Sequence, residues 1–95
     1  MSTIWLDTAL DDLERLSTYI DEHQTGNAQI VLERIFSSVR TLDAFSRRGR
    51  AGRLAGTYEL VVPRTPYLVI YRIAGDNIEI LQVIHGARDL QPDSP

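Results

Sequence analysis

The chain has 95 residues, two histidines, no cysteine and a formal net charge of −3, with 43% hydrophobic and 24% charged residues. A length and apolar content of this order fit one globular core, and the missing cysteines exclude a disulfide framework, a thiol nucleophile and a thiolate metal site. No apolar run approaches the roughly 20 residues of a bilayer-spanning helix, and Met1–Asp7 lacks the basic and apolar regions of a signal peptide.

These features predict a cytoplasmic protein without membrane, metal or cofactor, folded as a single domain over residues 1–90 with a flexible tail at 91–95. Thr3–Leu6 is short and β-prone, and Asp7 or Thr8 is placed to cap a following helix. Ala9, Leu13, Leu16 and Ile20 then recur at three- and four-residue steps, predicting a helix over residues 8–22. The turn residues His23–Asn27 interrupt the pattern. Val31, Ile35, Val39 and Leu42, with Leu32 and Phe36, restart it and predict a second helix over 28–44, antiparallel to the first. Ser46–Gly56 carries three glycines and four arginines with no apolar period, and reads as a loop. Tyr58–Val62, Tyr67–Ile73 and Ile78–Ile84 are β-branched and aromatic, and read as three antiparallel strands. The expected fold is α+β: an αα-hairpin packed on a four-stranded, mainly antiparallel sheet in the order β-α-α-β-β-β.

The net charge conceals a gradient. Residues 1–46 sum to −5, residues 47–73 to +5 and residues 74–95 to −3, and all ten basic residues are arginine. A basic middle is commonly a solvated face, and genome composition also enriches arginine; the planar guanidinium nonetheless matches phosphate and carboxylate oxygens. No Walker loop, dinucleotide fingerprint, HExxH or GxSxG is present. Antiparallel pairing can bring Arg64, Arg72, His85, Arg88 and the phenol of Tyr67 or Tyr71 to one sheet edge. Such a set offers an acid, a base and positive donors for RNA cleavage. Plainer readings stand beside it: His85 as a structural histidine, Arg88–Asp89 as a surface ion pair, Tyr67, Tyr71 and Trp5 as core aromatics, and His23 as solvated.

The assembled pattern resembles the RelE/ParE superfamily of type II toxin–antitoxin (plasmid stabilisation) toxins. The residues that carry it are Ala9-x-x-Asp12-Leu13 and Tyr19-Ile20; Gly49-Arg50-x-Gly52-Arg53-x-x-Gly56-Thr57-x-Glu59-Leu60-Val61-Val62; Pro66-Tyr67-x-Val69-x-Tyr71-Arg72-Ile73; and Ile78-x-Ile80-Leu81-x-Val83-x-His85-Gly86-Ala87-Arg88. The resemblance implies a growth inhibitor silenced by a cognate antitoxin that folds on the toxin surface, with operator DNA bound only through the antitoxin. It leaves two targets open. As a RelE-like mRNA interferase working on the ribosome, the chain would use Arg64, Arg88, His85 and Tyr67 as catalytic candidates, with Arg47, Arg48, Arg50, Arg53 and Arg72 meeting the target. Yet Tyr58–Val62 lacks the catalytic lysines some RelE-like enzymes carry there, and no tyrosine or histidine follows Arg88. As a ParE-like inhibitor of DNA gyrase it would need no nucleolytic set, and Val83-Ile84-His85 resembles the ending of the last ParE strand. A degenerate, non-toxic module that binds only an antitoxin or operator complex is the alternative of a different class.

Overall fold

The computed structural model describes residues 2–23 and 27–86. Strand β1 (Ser2–Trp5) leads into helix α1 (Asp7–His23), helix α2 (Ala28–Arg40) and a 3-10 turn (Thr41–Asp43). Strands β2 (Arg50–Ala51), β3 (Thr57–Val61), β4 (Tyr67–Ala74) and β5 (Asn77–His85) follow. The sheet order is β1-β5-β4-β3-β2, with β1 parallel to β5 and the other pairs antiparallel. The class is as expected, but the strands number five rather than four. The additional one, β2, lies inside the arginine–glycine stretch and pairs only through Arg50 with Glu59 and Ala51 with Tyr58. Its cause is a side chain, not a pattern: the Glu59 carboxylate accepts from the Arg50 guanidinium at 3.2 Å and from the Arg53 backbone N–H at 3.2 Å.

Helix α1 buries the stripe Ala9, Leu13, Leu16 and Ile20, as its spacing requires. Neither Asp7 nor Thr8 occupies the cap position. The Leu6 carbonyl accepts from the N–H groups of Ala9 and Leu10, so the helix starts one residue early. Asn27 caps α2, its side-chain oxygen accepting from the Gln29 N–H at 2.8 Å. That helix ends at Arg40 rather than 44; the tighter 3-10 turn that follows drives Leu42 fully into the core. Phe36 sits at the rim, its ring 5.3 Å from Trp5 in an edge-on contact. Among the described residues no helix is long and apolar enough to cross a membrane.

Both helices cover one face of the sheet. Their stripes meet Leu60 and Val62 at the end of β3, Tyr67, Val69 and Tyr71 of β4, and Ile78, Ile80 and Val83 of β5. On β5 the buried positions change parity because of a bulge: Ile70 pairs with Gln82 but Tyr71 with Ile80, leaving Leu81 as the extra residue. Ile78 and Ile80 before the bulge therefore face the helices together with Val83 after it. The apolar residues of both parities in the β5 sequence thus serve largely one face.

Candidate functional site

The arginine-rich segment is held by tyrosines. Tyr71 is fully buried in β4; its hydroxyl donates to the Ser46 carbonyl at 2.8 Å and accepts from the Gly49 N–H at 3.0 Å. Its ring stacks on Tyr58 with centroids 5.3 Å apart, and the Tyr58 hydroxyl accepts from Arg47 Nη1 at 2.9 Å. Burial pushes the Tyr71 phenol above its ordinary pKa, with the Gly49 hydrogen bond opposing and Tyr58 adding to the shift. Gly49 is required by this crossing, since a Cβ there would lie 2.9 Å from the Tyr71 hydroxyl and from the Glu59 carbonyl.

Among the described residues the predicted arginines do not all gather on one rim. Arg64 lies in the turn between β3 and β4, while Arg72 is near the other end of β4, paired opposite Thr57 and Glu79. Five residues separate Tyr67 from Arg72, about 17 Å of strand. On the face away from the helices Arg72 is ion-paired with Glu79, and Arg50 with Glu59, a carboxylate only 5% exposed. Tyr67 and His85 are cross-strand partners, rings edge-on at 5.6 Å. Tyr67 is 3% exposed and part of the core. Arg88 lies outside the described residues, as do the expected Arg88–Asp89 pair and the tail at 91–95. No cluster of three or more histidine, aspartate or glutamate side chains suited to a metal ion occurs among the described residues.

Two of the predicted arginines do come together, with a third that the sequence did not single out. A cleft of about 450 Å³ between α2 and the β3–β4 turn is lined by Arg34, Arg48 and Arg64, by Ser37, Ser38 and Thr41, and by Glu33, its one acid among the described residues. Arg34 Nη1 donates to the Arg64 carbonyl at 3.1 Å, which fixes one guanidinium and supports a turn residue whose φ is +62°. Guanidinium forks beside hydroxyls are suited to carboxylate or phosphate oxygens. Arg34 was hidden because its acidic surroundings in sequence, within the −5 segment, give no sign that α2 lays it beside a turn thirty residues later.

A family profile described as the ParE toxin of type II toxin–antitoxin system, parDE, matches residues 3–90. The chain belongs to the ParE toxin family. This ParE-family protein is thus the toxin component of a type II toxin–antitoxin system. It is 38% identical over 81 residues to putative toxin Y4kP of Sinorhizobium fredii, covering 85% of this chain and 83% of that one. To toxin RelE2 of Caulobacter vibrioides it is 29% identical, covering 90% and 94%. Among solved structures, the chromosomal ParDE system from P. aeruginosa superposes with a TM-score of 0.77 at 26% identity, covering 90% of this chain and 95% of that one. The toxin–antitoxin complex RelBE2 from Mycobacterium tuberculosis gives 0.55 at 26% identity, covering 88% and 95%.

Proposed function

We propose that this toxin, neutralised by a cognate antitoxin, inhibits DNA gyrase rather than cutting mRNA on the ribosome. The observation that carries the reading is the placement of two groups the nuclease would need: the catalytic candidate Tyr67 is withdrawn from solvent, and Arg72, expected to meet the target, stands far from Arg64. Tyr67 is buried in the core, Arg64 and Arg72 occupy opposite ends of β4, and Arg72 is engaged by Glu79. General acid–base cleavage needs its acid, base and charge-stabilising donors within reach of one phosphate. The ParE profile and the higher superposition on the ParDE system support the same branch. Cleavage on the ribosome is the second reading, favoured by the relative named RelE2 and by Arg48 and Arg64 sharing a cleft. Purified toxin added to a gyrase supercoiling reaction is expected to inhibit it, while primer extension in a translation extract shows intact message. Message cut in a ribosome-dependent way, with supercoiling untouched, reverses the assignment, and Arg64→Ala and Arg88→Ala then identify the groups responsible. Induced expression without effect on growth would leave the binding-module alternative.

A further inference from the structure

We infer that the turn at residues 45–48 is a preorganised DNA contact, Arg47 and Arg48 meeting phosphate oxygens while the Phe45 ring lies against a base. The inference rests on the gyrase reading above and adds to it a surface and a ligand chemistry: gyrase works on DNA, so a toxin docked there has phosphates within reach. Charge comes first. Residues 44–58 hold four arginines and no acid. The one carboxylate between residues 47 and 73, Glu59, is 5% exposed and paired with Arg50. Neither Arg47 nor Arg48 forms an ion pair among the described residues. A chain of net charge −3 thus carries a local positive surface at this turn.

Geometry is the second observation. The Phe45 carbonyl accepts from the Arg48 N–H at 3.0 Å, closing a turn whose Phe45, Arg47 and Arg48 side chains line an open recess of about 500 Å³. The turn is fastened from beneath: the Tyr71 hydroxyl holds the Ser46 carbonyl on one side of the two arginines and the Gly49 N–H on the other. Arg47 is further oriented by the Tyr58 hydroxyl, a neutral acceptor that fixes the guanidinium without cancelling its charge. Donors held in place this way lose less freedom on binding. The third observation is the Phe45 ring, which is 65% exposed. An aromatic ring flanked by guanidiniums matches a nucleic-acid strand, in which every phosphate adjoins a flat base. A phenylalanine beside arginines is also a pairing by which proteins wedge a base step while gripping its backbone. A protein partner would have to bring two carboxylates and an apolar group to the same three side chains.

The test follows the fluorescence anisotropy of a labelled DNA duplex with a single-stranded tail, titrated with full-length toxin at several salt concentrations, beside an assay of supercoiling inhibition. The parent is expected to bind with an affinity that falls as salt rises. Arg47→Gln should reduce the slope of log affinity against log salt by about one, and Phe45→Ala should bind at least about fivefold more weakly. Either variant should need several-fold more toxin to inhibit supercoiling. Arg48 is left in place because it also borders the cleft beside α2. Melting temperatures report folding; should Arg47→Gln melt early, Phe45→Ala, at an exposed site, alone decides. The inference is overturned if the parent does not bind the DNA, or if both variants bind it within about twofold of the parent with an unchanged salt slope. It is equally overturned if the variants lose inhibition with DNA binding kept, which places the turn on the gyrase protein, or if an RNA strand of the same sequence binds at least about tenfold more tightly. A parent that binds the DNA but leaves supercoiling untouched removes the gyrase reading instead, which separates the two failures.

Discussion

At Tyr71 one hydroxyl links the core to the arginine-rich segment, because it satisfies a carbonyl and an N–H that the chain would otherwise leave unpartnered under the sheet edge. Tyr71→Phe keeps the ring and its stacking on Tyr58 but strands both backbone groups, so a loss of about 1–3 kcal/mol is expected in urea denaturation. Faster hydrogen exchange at Gly49 should accompany it. The pH dependence has a definite sign. Burial raises the phenol's pKa in the folded chain, so on alkalinisation the unfolded chain loses its proton first. The contribution of Tyr71 is intact below about pH 10, the ordinary tyrosine value, and is lost as pH rises from there through the folded pKa. Comparing the parent with the phenylalanine variant isolates this group from the other tyrosines: the stability difference between them should shrink across that alkaline window. The ring of Tyr71 was readable as core from its parity with Val69 and Ile73. The task of its hydroxyl was not, because Ser46 and Gly49 lie 25 and 22 residues away.

Helix α1 does more than bury an apolar stripe; it completes the edge of β5. The β1 strand ends at Trp5, and the Leu6 N–H makes the last contact to the Ile80 carbonyl. Beyond that point no strand among the described residues lies on the outer side of β5. Thr8 donates from its hydroxyl to the Leu81 carbonyl at 2.6 Å, and Asp12 Oδ2 accepts from the Val83 N–H at 2.9 Å. Asp12→Ala leaves the Val83 N–H without a partner at a partly buried position and is expected to cost about 1–3 kcal/mol. Arg15→Ala removes only the exposed partner of the 2.7 Å Asp12–Arg15 pair and is expected to cost less than about 1 kcal/mol. Urea titrations of the two variants check the ranking; equal losses would move the role of Asp12 from the strand to the ion pair. The sequence displayed the helix clearly through Ala9, Leu13, Leu16 and Ile20, because periodicity is a local signal. It did not display why Thr8 and Asp12 occupy the polar side, since their partners are backbone atoms more than 70 residues on. For the same reason β2 and the Leu81 bulge were invisible: one is created by Glu59, the other by the register between two strands.

Over the whole molecule stability and recognition are divided between layers. The helix-facing side of the sheet carries the main apolar cluster, whereas the ion pairs Arg50–Glu59 and Arg72–Glu79 lie on the other side and the arginine cleft lies at the β3 edge. A domain of this size is stable by only about 5–15 kcal/mol. Ile35 is fully buried at the junction of α2 with the sheet; Ile35→Ala is therefore expected to cost about 2–5 kcal/mol and to lower the melting temperature by some 4–8 °C for each kcal/mol lost. Arg72→Ala breaks an ion pair whose arginine side chain is half exposed and should change stability by no more than about 1 kcal/mol. Melts followed by Trp5 fluorescence and by far-ultraviolet circular dichroism should coincide for both variants, because the helices and the sheet share one core. An Arg72 variant as damaged as the Ile35 variant would show that the charged face also holds the fold. If the predicted gap is found, arginines outside the core can be exchanged at little cost in stability, and the toxin surface can change its partners while the helix-covered face keeps the architecture constant.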